Sequence, residues 1–210
     1  MFLGVLKGVE MSGLFDIHSE KAARLNAAIE TDGFAYMANA IPENLWAELR
    51  NECACARKTA NSAQSDSPRA YRSSLSSLGQ VGLDLVKFRA PDEILAPIFD
   101  QKFEYCEDAS CYTFFETDDF LSPHLDGADN CEVTLLFYIS ATEPGLNPEE
   151  SGLYLSIYDE GPGETPKLRK SIATPEGGIM VGRGSKVLHG RNKLSEGEKI
   201  WMLTACFRSV

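Results

Sequence analysis

Two side chains at His-x-Asp spacing are suited to bind a metal ion. His124 and Asp126 lie at the end of an extended, aromatic-rich run that begins at Phe120. If this run is a β-strand, residues two apart project from the same face, so the imidazole and the carboxylate point together. A further imidazole, that of His189, ends a second strand-like run that starts at Gly184. We predict that these three side chains converge on one metal.

The types of these three ligands indicate which metal would bind. Two imidazoles and one carboxylate on one face are typical of non-haem Fe(II) sites, in which the opposite coordination positions stay open for substrates and O₂. His124, Asp126 and His189 are therefore the predicted metal ligands and catalytic residues. The remaining histidine, His18, precedes a helix, so we expect it at the surface or as a helix cap.

Composition restricts the class of protein and its partners. The chain has 210 residues, a length typical of one domain over residues 1–210. Its net charge of −11 disfavours nucleic acid as a partner and fits a neutral or cationic substrate slightly better than an anionic one. No run approaches the roughly 20 apolar residues that cross a bilayer, and the apolar start lacks a basic leader, with Met11 as an alternative first residue. We expect a cytoplasmic protein with no membrane partner.

The six cysteines include no CxxC pair and no zinc-like spacing, and several lie inside apolar runs. Buried thiols of a cytosolic protein fit this distribution better than a disulfide framework. We expect them to be reduced.

The first part of the chain, about residues 14–110, is predicted to be largely helical. Apolar residues recur at three- and four-residue spacing from Ser19 until Gly33, which ends the helix. A short strand is predicted at 34–37, and Pro42 is placed to start a second helix. A strand over 81–88 and a short helix over 91–99 follow.

Residues 58–77 are rich in Ser, Asn, Gln, Thr and Arg and have almost no apolar periodicity. A loop of this length is usually functional or disordered. Arg69, Tyr71 and Arg72 lie in it and could close over a substrate, but a solvated surface loop is equally compatible with the sequence.

Beyond Cys111 the chain reads as short strands and turns, over about residues 111–208. Strands are predicted at 111–115, 120–124, 132–139, 153–158, 168–173, 178–181, 186–189 and 199–207. Asp-Gly, Pro-Gly and Gly-Gly turns separate them, which favours a closed or double-sheeted β architecture with the helices packed outside.

Several of these segments together resemble one family. Thr31-Asp32-Gly33-Phe34, followed by the helix that begins near Pro42, is similar to its N-terminal βα segment. Phe120-Leu121-Ser122-Pro123-His124-Leu125-Asp126 is similar to its metal-binding strand. The segment 177–189 is similar to the strands that deliver its second histidine, and Gly197-Glu198-Lys199 to its Gly-x-Lys motif ten residues later. The family is the Fe(II)/2-oxoglutarate-dependent dioxygenase superfamily, and the resemblance is to its small, prolyl-hydroxylase-like members.

The resemblance implies a mainly β fold, a double-stranded β-helix (jelly roll) with N-terminal helices outside it. It implies Fe(II), 2-oxoglutarate and O₂ as cofactors and co-substrates, and hydroxylation or another oxidation of a C–H bond of a small molecule, such as an amino acid or a natural-product intermediate, with release of succinate and CO₂. Because Asp126 is present where related halogenases have a small residue, halogenation is disfavoured.

The resemblance also implies a buried cation that binds the far carboxylate of 2-oxoglutarate. Lys199 alternates with Trp201 and Leu203 on one face of the last strand, so we expect it to point inward. Arg191 is the second choice and Arg208 a weaker third.

Substrate contacts are assigned to Tyr71, Arg72 and Tyr112. The sequence departs from the family at two places: Ser151-Gly152 stands where a Gly-Gly turn is usual, and Phe114 or Phe115 stands where many relatives have a co-substrate-binding Tyr.

Two other functions are compatible with the sequence. A protein side-chain hydroxylase would need an open groove lined by the polar segment 58–77. A cupin-like metal-binding or sensor protein would keep the barrel and the metal but would have no need of an inward cation.

Overall fold

The structure, a computed structural model, describes residues 13–66, 69–145, 147–148, 150–159 and 165–210. The segment before residue 13, including Met11, lies outside the described residues. The described helices are α1 Ser19–Asp32, α2 Glu43–Arg57, α3 Gln80–Asp84 and α4 Ala96–Phe99, with π-helical turns at Leu85–Arg89 and Pro91–Leu95. The strands are β1 Phe34–Met37, β2 Asn61–Ser65, β3 Tyr71–Ser76, β4 Phe103–Phe115, β5 Phe120–His124, β6 Val133–Ala141, β7 Tyr154–Asp159, β8 Lys167–Ala173, β9 Ile179–Gly182, β10 His189–Arg191 and β11 Ile200–Ser209.

The strands form one antiparallel sheet that nearly closes into a barrel. Their order is β1-β9-β6-β11-β4-β3-β5-β10-β7-β8, and β2 pairs with β3. The architecture is mainly β and consistent with a jelly roll, so the predicted fold class is confirmed. Strands that are far apart in sequence, such as β5 and β10, become neighbours in this order.

Both faces of the central strands are buried, and each face has its own apolar cluster. In β6, Val133, Leu135 and Phe137 pack with the helices on the outside of the sheet. Leu136 belongs to the second cluster, inside the barrel. A strand buried on both faces has a nearly continuous apolar sequence, as β6 does. Alternate side chains of such a strand therefore enter two different apolar clusters, instead of one entering the core and the next facing solvent.

Helix α1 has the boundaries that its sequence predicts. The Lys21 amide donates to Nδ1 of His18, which caps the helix. Gly33 ends it at φ +86°, a left-handed conformation that glycine adopts without strain, and its N–H donates to the Ile29 carbonyl oxygen. The predicted strand at 34–37 follows directly as β1 and pairs with β9.

Three secondary-structure predictions were wrong. The strand predicted at 186–189 is mostly a turn, and His189 begins β10 rather than ending a strand. The polar segment 58–77 contains the hairpin β2–β3, and β3 pairs with both β4 and β5. The segment 81–88 is α3 and the first π-helical turn, because its buried residues, Gly82, Leu85 and Val86, follow a helical stripe. The short helix expected over 91–99 is present.

The expectation that all cysteines are reduced was also wrong. Cys131 and Cys206 form a disulfide that joins the segment before β6 to β11. Cys53, in contrast, is a free thiol on the buried face of α2, as predicted. Within the described residues, no helix combines the length and the apolar character that a membrane span needs.

Candidate metal centre

The three predicted ligands meet at one end of the barrel. His124 is the last residue of β5 and His189 the first of β10, and these two residues pair directly in the sheet. Asp126 lies just after β5, where its N–H donates to the Gly184 carbonyl oxygen at 2.9 Å. One ligand atom from each of the three side chains lies within 4.8 Å of the others. The structure thus brings together the side chains that the sequence pattern grouped.

Backbone hydrogen bonds fix the tautomer of both imidazoles. Nδ1 of His124 lies 3.1 Å from the Ser122 carbonyl oxygen, and Nδ1 of His189 lies 2.9 Å from that of Val187. A carbonyl oxygen only accepts, so each Nδ1 is the donor and each Nε2 keeps its lone pair. A hydrogen bond from the second ring nitrogen is the usual arrangement of a metal-bound histidine.

Both Nε2 atoms face the same carboxylate oxygen, Oδ1 of Asp126. The distances are 3.3 Å from His124 and 3.8 Å from His189. When both imidazoles bind through Nε2, their lone pairs and the carboxylate oxygen repel one another at this distance, and a metal cation between them removes that repulsion. The donor set and its orientation therefore fit a divalent metal ion.

The second oxygen of Asp126 is fixed by its surroundings. Oδ2 accepts a 2.5 Å hydrogen bond from the Thr134 hydroxyl on β6, and Sγ of Cys131 lies 3.8 Å away. Gly184 lies against the same oxygen, since a β-carbon at this position would be 1.9 Å from Oδ2. The carboxylate is thus oriented with Oδ1 toward the two histidines.

Electrostatics favour the ligand-competent protonation states. Burial lowers the pKa of His189 to about 4, although the Asp126 carboxylate acts in the opposite direction. Burial alone would raise the pKa of Asp126, but the two neighbouring imidazoles and the hydrogen bond from the Thr134 hydroxyl hold it below its ordinary value. At neutral pH the site therefore presents a carboxylate and, at His189, a neutral imidazole.

The ligands line a cavity of about 340 Å³ inside the barrel. Its wall has an apolar part and a polar part. The apolar part includes Phe115, Leu121, Leu136, Leu155 and Met202; the polar part includes Arg69, Tyr71, Ser73, Thr113, Asn130, Thr204 and Arg191.

Arg191 is a buried cation in this wall that has no acidic partner among the described residues. Its side chain is on β10 two residues after His189, and the residue is 3% exposed. The guanidinium donates to the carbonyl oxygen of Gly152 and, at 3.4 Å each, contacts the hydroxyls of Thr174 and Tyr138. Among the described residues no carboxylate pairs with it. A buried charge is costly unless it is paired, so this position favours an anionic ligand.

Lys199 does not line the cavity, so the prediction that it points inward was wrong. The residue is exposed, and its Nζ lies over the ring of Trp201, 4.9 Å from the centroid. It borders a groove between α2 and the outer face of the sheet. Lys199, Trp201 and Leu203 do share a face, but it is the face toward the helices; Ile200 and Met202 point into the barrel.

The weaker anchor choice and two of the predicted substrate contacts also lie elsewhere. Arg208 is exposed and paired with Glu104. Arg72 faces away from the cavity toward Asp118 and Asp119. Tyr112 is fully buried among the residues under the helices, where its hydroxyl donates to Glu52 at 2.6 Å.

Tyr71 does line the cavity, together with Ser73 and Leu75 on the same face of β3. Phe115, rather than Phe114, lines it at the position where relatives of the resembled family have a tyrosine, and the guanidinium of Arg191 lies 5.7 Å from the Phe115 ring centroid. Thr134 and Cys131 are contacts of Asp126 that the sequence analysis missed. Strand alternation in β6 predicts that Thr134 shares a face with Leu136. It does not predict that the Thr134 hydroxyl reaches Asp126.

The fold is similar to that of several solved structures, although no family model and no curated protein matches the sequence. One is a prolyl-4-hydroxylase of Pseudomonas putida, with a TM-score of 0.61 and 20% identity over 89% of this chain and 98% of that chain. Another is the non-haem α-ketoglutarate-dependent epimerase SnoN of nogalamycin biosynthesis, with a TM-score of 0.71 and 11% identity over 90% and 81%. A third is HygX of Streptomyces hygroscopicus with nickel, 2-oxoglutarate and hygromycin B bound, with a TM-score of 0.58 and 18% identity over 88% and 86%.

Proposed function

We propose that this protein is an Fe(II)- and 2-oxoglutarate-dependent oxygenase that oxidises a C–H bond of a small molecule. The observation that carries the proposal is that one cavity contains two kinds of group: three candidate metal-ligand side chains, and a buried guanidinium that no carboxylate of the described residues pairs with. The three side chains are suited to bind a divalent cation, and the guanidinium is suited to bind an anion. 2-Oxoglutarate, a dicarboxylate that can chelate iron, satisfies both.

His124, Asp126 and His189 would hold the iron on one side and leave the other side to the cavity. When bound, Fe(II) supplies O₂ activation, with 2-oxoglutarate oxidised to succinate and CO₂ and the substrate C–H bond oxidised. Thr134 orients the carboxylate, and the Ser122 and Val187 carbonyl oxygens orient the imidazoles. The protein's part is thus to position and neutralise charged groups.

In this proposal Arg191 binds the far carboxylate of 2-oxoglutarate. Arginine suits this role because its planar guanidinium can pair with a carboxylate through two hydrogen bonds. The neighbouring apolar residues Phe115, Leu121 and Leu155 exclude water from that end of the cavity. A charge-assisted bond is stronger in such an environment than at the surface.

The metal and co-substrate roles are tested together by anaerobic spectroscopy. Fe(II) and 2-oxoglutarate added to the protein should produce a weak visible charge-transfer band that neither produces alone. His124→Ala and Asp126→Ala should abolish it. A wild-type protein that binds Fe(II) but never forms the band would contradict the proposal and would instead favour the cupin-like metal-binding alternative.

The anchor is tested by a pair of variants. Arg191→Met should raise the 2-oxoglutarate concentration that half-saturates the band by at least about tenfold, since a charge-assisted pair is lost. Lys199→Met is the matched control, because Lys199 was also predicted to be the anchor but lies in the outer groove. This variant should leave the half-saturating 2-oxoglutarate concentration unchanged. Circular dichroism checks that both variants are folded. The opposite result, an effect of Lys199 only, would return the anchor to Lys199.

A further inference from the structure

The charges that line the cavity are not balanced by a metal and 2-oxoglutarate alone. The cavity wall carries two guanidinium groups, those of Arg69 and Arg191, and one carboxylate, that of Asp126. A divalent cation adds two positive charges, and the dicarboxylate co-substrate adds two negative ones. One positive charge is then left over. Because Arg191 is the buried cation that the co-substrate needs, the surplus belongs to Arg69.

Arg69 is placed to act on a second ligand near the metal. It lies two residues before the start of β3, is exposed, and borders the same cavity as the three candidate metal ligands. Within the described part of the chain, no carboxylate pairs with Arg69, whereas its neighbour Arg72 pairs with Asp119.

The wall beside Arg69 is polar and the space is small. The side chains of Tyr71 and Ser73 line it from β3, and the hydroxyls of Thr113 and Thr204 lie 2.9 Å from each other across two further strands. Small-molecule sites range from about 300 to 1,000 Å³, so a cavity of about 340 Å³ is at the lower end. Since 2-oxoglutarate must share it, the other ligand has to be compact or has to extend outside.

We propose that the primary substrate is a small organic acid whose carboxylate pairs with Arg69 at the cavity mouth, with its oxidised C–H bond directed toward the metal. The inference rests on the proposed function, because it assigns the second ligand of the same site. It reverses the expectation of a neutral or cationic substrate drawn from the net charge of −11. That net charge describes the whole chain, whereas the charge that selects a bound ligand is the charge of the cavity wall.

The test is binding of matched acids and amides. Protein loaded with Ni(II) and saturating 2-oxoglutarate is titrated by calorimetry with a panel of small amino and hydroxy carboxylic acids and with the primary amide of each. At least one acid should bind at least about tenfold more tightly than its amide. Arg69→Gln should remove that preference, while Arg72→Gln, which alters a guanidinium outside the cavity, should keep it.

Three results would overturn the inference. The first is a panel in which no acid binds better than its amide. The second is an Arg69→Gln protein that keeps the wild-type preference. The third is an Arg69→Gln protein that loses affinity for 2-oxoglutarate as much as for the acid, which would assign Arg69 to the co-substrate. The Fe(II)/2-oxoglutarate band of the wild-type protein separates the two proposals, because its presence supports the oxygenase assignment whatever the panel shows.

Discussion

Gly184 lies directly against the carboxylate of Asp126. Its carbonyl oxygen accepts the Asp126 N–H at 2.9 Å, and a β-carbon on Gly184 would be 1.9 Å from Oδ2 of Asp126 and 2.7 Å from Oγ1 of Thr134. Any side chain at position 184 must therefore displace either the carboxylate or the hydroxyl that holds it. The backbone at Gly184 therefore helps to position the Asp126 carboxylate in the candidate metal centre.

Gly184→Ala should lower the affinity for Ni(II) by about tenfold or more, because the ligand oxygen can no longer keep its orientation. Calorimetric titration of the metal-free protein measures the effect. Gly145→Ala is the control, since a β-carbon there meets nothing within 4 Å. Equal Ni(II) affinities for Gly184→Ala and wild type would mean that Asp126 adopts another position when metal binds.

Thr134→Val should also weaken metal binding, by about 10- to 100-fold, the range found for groups that orient metal ligands. The substitution keeps the shape of the side chain but removes the hydroxyl that donates to Oδ2 of Asp126. Thr113→Val is the matched control, because the Thr113 hydroxyl contacts Thr204 and no predicted ligand. If both variants bind Ni(II) alike, the hydrogen bond to Asp126 has no role in ligand orientation.

The candidate metal ligands were only partly predictable from local sequence. His124 and Asp126 are two residues apart, and the short β10 segment that carries His189 is delimited by turns. Asp126 nevertheless lies beyond the end of β5, so its direction depends on the bond to Gly184 rather than on strand alternation. The sequence pattern correctly predicted that the three side chains lie together. The strand alternation on which that prediction relied does not, however, set the direction of Asp126.

The direction of Lys199 could not be read from alternation in β11. Ile200 and Met202 are apolar and face the barrel, while Trp201 and Leu203 are apolar and face the helices. A strand buried on both faces gives no contrast that identifies the inner one. The position of Lys199 in the Gly-x-Lys motif therefore led to its prediction as the anchor, although its side chain points away from the barrel interior.

Tertiary contacts decided the features that the sequence analysis missed. The hairpin β2–β3 has polar residues on most of its positions, so no apolar period marks it; its pairing with β4 and β5 holds it in the sheet. The disulfide joins cysteines 75 residues apart, and only the sheet order brings them together. Neither feature has a local signal.

The metal-free protein should lose stability as the pH falls from about 6.5 to about 4. His189 has its pKa lowered to about 4 by burial, whereas an unfolded histidine titrates near about 6.5. In this window the unfolded chain binds more protons than the folded one, so acid favours unfolding. The contribution is on the order of 3 kcal/mol over the full window. Urea unfolding at several pH values measures it.

His189→Asn isolates this contribution from the titration of carboxylates, which continues in the variant. The free energy of unfolding of the variant should depend less steeply on pH between about 4 and about 6.5 than that of the wild type. Parallel curves for the two proteins would show that His189 is protonated as readily in the folded as in the unfolded state.

The disulfide should contribute stability and should position the segment that carries Asp126. Cross-linking residues 75 positions apart restricts the unfolded chain, which is typically worth about 2 to 4 kcal/mol. Cys206→Ser, or reduction of the wild type, should lower the free energy of unfolding in urea by about that amount and should weaken Ni(II) binding, because Cys131 lies beside the Asp126 carboxylate. Cys55→Ser, which alters an exposed free thiol, is the control. If reduction leaves both unfolding and Ni(II) affinity unchanged, the two cysteines act as separate thiols in solution.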